Sequence, residues 1–342
     1  MSSCTVVSAT DVVVRRLSQG DDNALFAFYD RVHPKAATLR TLFAWRREMP
    51  NDAGSSEVFG AFAGEALLGA LTVLPIPTAG GRRVCWQLDS IVAPEARGKG
   101  IGQRLVCEAK ASWDIVLAKG TSDAMYALRK GVGFADVPHS MYLYRATRAV
   151  ATGVSWKIRI ALPALFIRAG GRPRTRLGVA IVPLGHFGPV YDEFADAWRA
   201  ESGVIAPVKS AAYLRWRYLT CPNRTYQVLE LRAGGRVLGA AVLRRSRIVP
   251  SVTWLVDLIS SPYHAPDAAA MIASVLDAAR QQGVSIVRTF CSDPYLAVVM
   301  REAGFREAPS SPRFTCLPRS AAGAGARIAF WHGDGDVELY QE

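Results

Sequence analysis

The residues with the most chemistry to offer are Arg97-Gly98-Lys99-Gly100-Ile101-Gly102. They follow an apolar run through Leu88, Ile91 and Val92, cross Pro94, and lead into an amphipathic stretch from Gln103 to Ala111 with Leu105 and Val106 inward. A turn of this kind, between a strand and a helix, is suited to a pyrophosphate. Glycine has no Cβ, so the backbone can take positive φ and lie directly against a ligand. The first amides of the helix have no intrahelical partner and point at the anion. The helix dipole adds roughly half a positive charge there, and Arg97 and Lys99 supply two whole ones. A dinucleotide-type or Walker-type phosphate loop is the competing reading, but the Gly-x-Gly-x-x-Gly order and the Gly-Lys-Ser/Thr ending are both missing.

A second group pairs aromatic surface with guanidinium. Trp45, Arg46 and Arg47 are echoed by Arg215, Trp216, Arg217 and Tyr218. Such a set can stack on a sugar ring and hold a phosphate or carboxylate in bidentate fashion. The competing reading is a helix that buries its Trp and exposes its Arg.

At the loop the chain resembles the GNAT acyltransferase superfamily, whose acetyl-CoA loop reads Arg/Gln-x-x-Gly-x-Gly/Ala. Arg97, Gly100 and Gly102 match it, and Val92-Ala93-Pro94 before it also fits. Thr121-Ser122-Asp123-Ala124 and Gly131-Val132-Gly133-Phe134 look like that family's second landmark, a polar helix start followed one helix later by Gly-Phe. The resemblance implies acetyl-CoA as acyl donor, no metal, and cofactor contacts from Ile91, Val92, Arg97, Gly98, Lys99, Gly100, Ile101, Gly102 and Ser122; Arg129, where the chain departs from the family, is a candidate contact for the cofactor or for an anionic acceptor. It also implies a backbone N–H, from Ile91 or Val92, for the thioester oxygen.

The catalytic candidates follow from the same resemblance. Asp89 lies three residues before Val92, where related enzymes often carry a carboxylate that takes the amine proton directly or through water. Asp257 occupies the matching place in a second copy that has no cofactor loop, so a structural role for both, at a strand bulge, is the alternative. The family's usual tyrosine acid falls four residues before Gly-Phe, where this chain has Arg129. Tyr126 lies three residues earlier on the same helix face and is the substitute candidate.

The loop needs a strand, a helix and a scaffold around them, and the chain contains that scaffold twice. Ala63-Gly64-Glu65-Ala66-Leu67-Leu68-Gly69-Ala70 matches Ala233-Gly234-Gly235-Arg236-Val237-Leu238-Gly239-Ala240, Trp86-Gln87-Leu88-Asp89 matches Trp254-Leu255-Val256-Asp257, and Ser122-Asp123 with Gly133-Phe134 matches Ser292-Asp293 with Gly304-Phe305. Offsets stay near 170: Trp45 to Trp216 is 171 and Asp89 to Asp257 is 168. Each copy reads as a strand, two helices, a hairpin, a long strand, then helix, strand, helix and closing strands. The expected fold is therefore α/β, two tandem GNAT-like domains, each a mixed, mostly antiparallel central sheet flanked by helices. The expected boundaries are 1–147 for the loop-bearing domain, 148–177 for a basic apolar linker, and 178–342 for a degenerate copy. In that copy Ser260-Ser261-Pro262-Tyr263-His264-Ala265-Pro266-Asp267 replaces the loop, with no glycine, Arg or Lys and with an acid near the helix start. One acetyl-CoA site per chain is expected.

The 342 residues are 50% hydrophobic and 20% charged, which suits two packed domains and excludes disorder as the main state. Six scattered cysteines without a Cys-x-x-Cys pair read as reduced thiols of a cytoplasmic protein. No signal-like start and no spanning apolar run is seen. Of the net charge of +12, seven positive residues lie between Ala146 and Tyr191, where there is no Asp or Glu. They interleave with Trp156, Ile160, Leu165, Phe166 and Ile167 and no nucleic-acid motif accompanies them, so nucleic acid is not the expected partner. The segment reads as a linker packed against the domains or as a weak contact with an anionic membrane surface at the inner face. A homodimer is a further expectation. The implied function is an N-acetyltransferase moving an acetyl or short acyl group to the primary amine of a small polar acceptor, with an amino sugar as first choice. The alternatives are a protein-lysine or amino-acid N-acetyltransferase, and a non-catalytic acyl-CoA sensor.

Overall fold

In the computed structural model, residues 12–50, 54–78, 81–147, 179–262, 265–309, 312–322 and 327–334 are described. The expected basic linker, 148–177, lies outside them. In chain order the first half gives β1 (Val12–Arg16), α1 (Asp22–Val32), α2 (Ala36–Arg47), β2 (Glu57–Ala63), β3 (Ala66–Ile76), β4 (Val84–Val92), α3 (Ile101–Lys110), β5 (Ile115–Ala118), α4 (Asp123–Gly131), β6 (Ala135–Asp136) and β7 (Met141–Ala146). The second gives β8 (Val179–Pro183), α5 (Val190–Ala200), β9 (Val204–Ile205), α6 (Ala211–Leu214), β10 (Gln227–Ala233), β11 (Arg236–Arg245), β12 (Val252–Ile259), α7 (Ala265–Gln281), β13 (Ile286–Cys291), α8 (Pro294–Glu302), β14 (Arg306–Glu307), β15 (Thr315–Leu317) and β16 (Arg327–Ile328). The order repeats, as the sequence repeat requires. The mixed α/β architecture with two large, mostly antiparallel sheets is the one expected.

The compact units are not the two contiguous halves. One unit comprises 1–77, 81–136 and 315–323, and the other 78–80, 137–314 and 324–342. The first sheet runs β1-β2-β3-β4-β5-β15-β6 and the second β14-β7-β13-β12-β11-β10-β8. Thus β15, late in the chain, pairs with β5 through Thr315–Ala118, Cys316–Leu117 and Leu317–Val116. In the other sheet β7 takes the same place beside β13, from Ile286–Ala146 to Cys291–Met141. Each half has given its closing strand to the sheet of the other. The boundary expected at 147 misses this because repeat matching aligns segments without showing which sheet a strand joins.

In the first unit α1 buries Leu25, Phe28 and Tyr29, one helical stripe, and ends at His33 because Pro34 forces the residue before it into extended backbone, φ −128° and ψ 124°. Helix α2 buries Leu39, Leu42, Phe43 and Arg46 at the spacing of a single stripe, so a guanidinium sits where an apolar side chain is usual. Helix α3 buries Ile101, Leu105, Val106 and Ala109. In the second unit α7, α8 and the sheet close over a core that includes Leu243, Leu255, Met271, Leu276, Val287 and Met300.

Two features of β4 prepare the site. Against β3 its register jumps from Thr72–Leu88 to Ala70–Ile91, so Asp89 and Ser90 form a bulge, and Asp89 takes φ +44°. Asp is among the few non-glycine residues that tolerate this region. On its other edge β4 pairs in parallel with β5 only as far as Trp86–Leu117, and from Gln87 onward the strands part.

Candidate functional site

The glycine-rich loop leaves the end of β4. Pro94–Ala96 forms one 3-10 turn, Gly98 takes φ +77°, and Gly100 takes φ +75° as the residue before α3. A Cβ at either glycine would meet nothing within 4 Å, so what glycine supplies there is backbone conformation. Gly102 is constrained by space: its Cβ would lie 3.2 Å from Leu128 Cδ1 on α4. The first helical bond at this end runs from the Arg104 N–H to the Gly100 carbonyl, 3.1 Å, leaving the amides of Ile101, Gly102 and Gln103 ahead of it without an intrahelical acceptor. Arg97 Nε donates to the Val92 carbonyl at 3.3 Å, which ties the loop to β4 and leaves the guanidinium exposed. These residues fit a pyrophosphate in conformation, charge and donor direction.

Behind the loop, β4 presents an edge that β5 has left. Ile91 and Val92 lie opposite Ala70 and Gly69 of β3. Successive N–H groups of an extended strand point to opposite edges, so one of the two residues turns its N–H toward β3 and the other toward the opening. Ser122 caps α4, its Oγ accepting from the Met125 N–H at 3.3 Å, so its hydroxyl is engaged in holding the helix start.

Asp89 is not an isolated carboxylate. Arg46 Nη1 donates to its Oδ2 at 2.5 Å, and the two side chains are 2% and 7% exposed. Tyr29 is buried beside them, its hydroxyl held above its ordinary range by burial first and the Asp89 charge second, and it hydrogen-bonds Thr72. His33, half-buried at the end of α1, is within electrostatic reach of Asp89. Burial chiefly lowers its pKa, against the pull of Asp89 and with the help of Lys35. A loop histidine between two helices gave no sequence signal. Arg46 did give one, since a charge on the stripe of Leu39, Leu42 and Phe43 has to find a buried carboxylate.

The other predicted residues are placed as follows. Tyr126 donates to Asp136 Oδ1 at 2.8 Å, beside the Lys130–Asp136 ion pair of 3.0 Å, which holds its hydroxyl to β6. Trp45, Trp216 and Arg217 are buried, and Arg217 Nε donates to the Gly333 carbonyl at 3.0 Å. Arg215 donates to the Phe187 carbonyl at 2.8 Å. The expectation that the Trp-Arg sets present stacking surface to an acceptor is therefore corrected for Trp45, Arg46, Trp216 and Arg217: the helical stripe turns them inward. Arg129 lies 2% exposed on α4, its Nη2 3.4 Å from the carbonyl of Gln87, the first residue of β4 beyond the last β5 pair.

The second unit has the same divergence with a different content. Strand β12 pairs with β13 only from Val252–Ile286 to Trp254–Arg288. Beyond that point the chain's own segment 328–334 is bound. Trp331 bridges Cys291 of β13, Phe330 donates its N–H to Ser292 Oγ at 2.9 Å, and His332 stacks on Trp254 with centroids 4.5 Å apart. Gly333 lies so near β12 that a Cβ would be 2.8 Å from Val256 Cγ1 and 2.5 Å from Tyr218 Oη. Asp334 closes the segment through Lys209 at 2.6 Å, and Lys209 also pairs with Asp257 at 2.7 Å, while the Tyr218 hydroxyl donates to Asp257 at 2.6 Å. Burial opposes the Lys209 charge, but the two carboxylates outweigh it and hold the ammonium above its ordinary range. Asp257, the repeat partner of Asp89, is thus an internal ion-pair residue.

Residues 23–127 match the family model described as Acetyltransferase (GNAT) family. No curated protein matches the chain by sequence. Among solved structures, a GCN5-related N-acetyltransferase from Anabaena variabilis is similar with a TM-score of 0.58 and 13% identity, covering 89% of this chain and 72% of that one. One from Kribbella flavida has a TM-score of 0.55 and 17% identity, covering 94% and 75%. A tandem GNAT protein from the clavulanic acid biosynthesis pathway has a TM-score of 0.50 and 16% identity, covering 92% and 99%. At these identities the likeness is one of fold. The loop, the bulge and the parted strands all lie inside residues 23–127, the segment that matches the GNAT family model, within a chain of two GNAT-like α/β units.

Proposed function

We propose that the first unit holds one acyl-CoA per chain and transfers an acetyl or other short acyl group to the primary amine of a small polar acceptor. The observation that carries this reading is the open Arg97–Gly102 loop at the end of a strand that no longer pairs with β5 from Gln87 onward. Arg97, Lys99 and the amides at the start of α3 bind the diphosphate, and whichever of Ile91 and Val92 points to the open edge donates to the thioester oxygen. One such donor is worth roughly 3 kcal/mol in kcat. Two groups are candidates to take the amine proton in this reading: Asp89 at the bulge, with one oxygen committed to Arg46, and His33 at the end of α1, within electrostatic reach of Asp89 and held toward its neutral form by burial. An amino sugar remains the first acceptor class to screen, although Trp45 and Arg46 are not available to stack on it.

The test is incubation of the protein with acetyl-CoA and amine panels, reading free CoA and the mass of the product. Acetylated amine supports the transferase. Tight acetyl-CoA binding without turnover on any amine supports the sensor instead. The described residues contain no helix long and apolar enough to cross a membrane. Residues 148–177 are proposed as a weak contact with an anionic inner-membrane surface. Flotation with anionic vesicles at low salt tests this, and equal partitioning into neutral vesicles refutes it. Sedimentation tests the proposed homodimer.

A further inference from the structure

Among the described residues, Arg129 is a buried cation on which no carboxylate acts. Its Nη2 makes one long hydrogen bond, to the Gln87 carbonyl at 3.4 Å, and it lies 5.9 Å from the Phe134 ring centroid. Its Nε and Nη1 have no hydrogen-bond partner, and neither do the buried Gln87 Oε1 and Ser90 Oγ on β4. Burial alone brings its pKa down, to about 10, with no carboxylate acting on it, and it stays charged at pH 7. The titratable groups on neighbouring elements are otherwise engaged or distant in role. Asp89 is held by Arg46, Asp136 by Tyr126 and Lys130, and Cys107 of α3 is half-buried. A desolvated, unpaired guanidinium is costly, and an anion brought to it would offset that cost.

The distance from the loop selects the anion. Because of the bulge, Val92 and Gln87 lie opposite Gly69 and Val73 of β3, four residues or about 13 Å apart at ~3.3 Å per residue. The arm of CoA from diphosphate to sulfur has about 13 bonds, or ~16 Å when extended along that edge. We propose that Arg129 receives the CoA sulfur as a thiolate when the acyl group leaves, so that no proton donor is needed at sulfur. This rests on the acyl-CoA reading above. In the step, the amine lone pair forms the new C–N bond, and the C–S bond breaks with its electron pair passing to sulfur. The nitrogen proton goes to the base at the bulge. The thiolate leaves paired with the guanidinium and is protonated by water after release. Tyr126 is not required, in keeping with its bond to Asp136.

The test compares CoA with acetyl-CoA, which has no thiol to ionise, by calorimetry at pH 7.5 in two buffers of different ionisation enthalpy. A free thiol has a pKa of about 8.5, and a cation within contact lowers such a value by about 1 to 3 units. CoA is expected to release at least ~0.4 proton more than acetyl-CoA on binding, Arg129→Gln to lose that release while still binding acetyl-CoA, and Arg129→Lys to retain part of it. Equal proton release for the two ligands in the unaltered protein overturns the inference while leaving the acyl-CoA site standing. Undiminished release in Arg129→Gln does the same. Failure of both ligands to bind the unaltered protein overturns the site reading and this inference with it.

Discussion

The two sheets open at the same place and are used differently. In each, a central strand pairs with its parallel neighbour only as far as a tryptophan, Trp86 in one and Trp254 in the other, and then parts from it. In the first unit the opening leads to a basic glycine-rich turn and contains a guanidinium without a carboxylate. In the second the turn has no glycine, Arg or Lys, and the opening holds Trp331, His332, Gly333 and Asp334, locked by Lys209 and Asp257. A parted pair of strands exposes apolar surface and unpaired backbone groups, and in the second unit the chain's own segment 328–334 covers them. The carboxylates show the same divergence. Asp89 neutralises one buried arginine beside the bulge, while Asp257 is a strut for the segment that closes the cleft.

The strongest way to break this comparison is to separate the copies. Because β15 completes the first sheet and β7 the second, residues 1–147 expressed alone are expected to lack a cooperative thermal transition, and mixing them with 178–342 is expected to restore one. Cooperative melting of 1–147 by itself, followed by circular dichroism, would show that the exchanged strand is dispensable.

Next come the carboxylates. Asp89→Asn removes the buried carboxylate charge that Arg46 pairs with, and Asp257→Asn leaves Lys209 with one carboxylate fewer and removes the charged acceptor of Tyr218. Each is expected to cost about 3–5 kcal/mol in denaturant unfolding. A loss under about 1 kcal/mol for Asp89→Asn, with turnover abolished, would separate the two and make Asp89 a chemical group first. A smaller effect is expected from Gly333→Ala, about 1–3 kcal/mol from overpacking against Tyr218 and Val256, with acetyl-CoA affinity unchanged. A change in that affinity would mean that the second opening takes part in binding.

The smallest effect is a pH dependence. The folded pKa of His33 is depressed below its unfolded value, so the unfolded chain binds the extra proton first. Stability from this residue is present above about pH 6.5 and falls as pH drops below it. His33→Gln should flatten this slope, and should remove the acid limb of kcat/KM if His33 takes the amine proton. An unchanged limb leaves that role to Asp89.

Much of this was legible in the residues. Gly98, Gly100 and Gly102 gave the loop, and the repeat gave two copies with the element order that is observed, because local spacing fixes helical stripes and turns. The exchange of β7 and β15 was not legible, since strand pairing between distant segments leaves no local mark. The burial of Trp45 and Arg46 could have been read from their helical phase with Leu39 and Leu42. The filling of the second opening by 330–334 could not, because Trp331 and His332 resemble surface residues until Trp254 and Cys291 are placed beside them.

The central claim is that only the first opening binds acyl-CoA, and calorimetric stoichiometry tests it most directly. The account predicts one acetyl-CoA per chain, with affinity falling at least ~100-fold, about 3 kcal/mol, in Gly100→Asp, whose carboxylate would project toward the amides that begin α3. Two acetyl-CoA per chain, or unchanged affinity in Gly100→Asp, would contradict it.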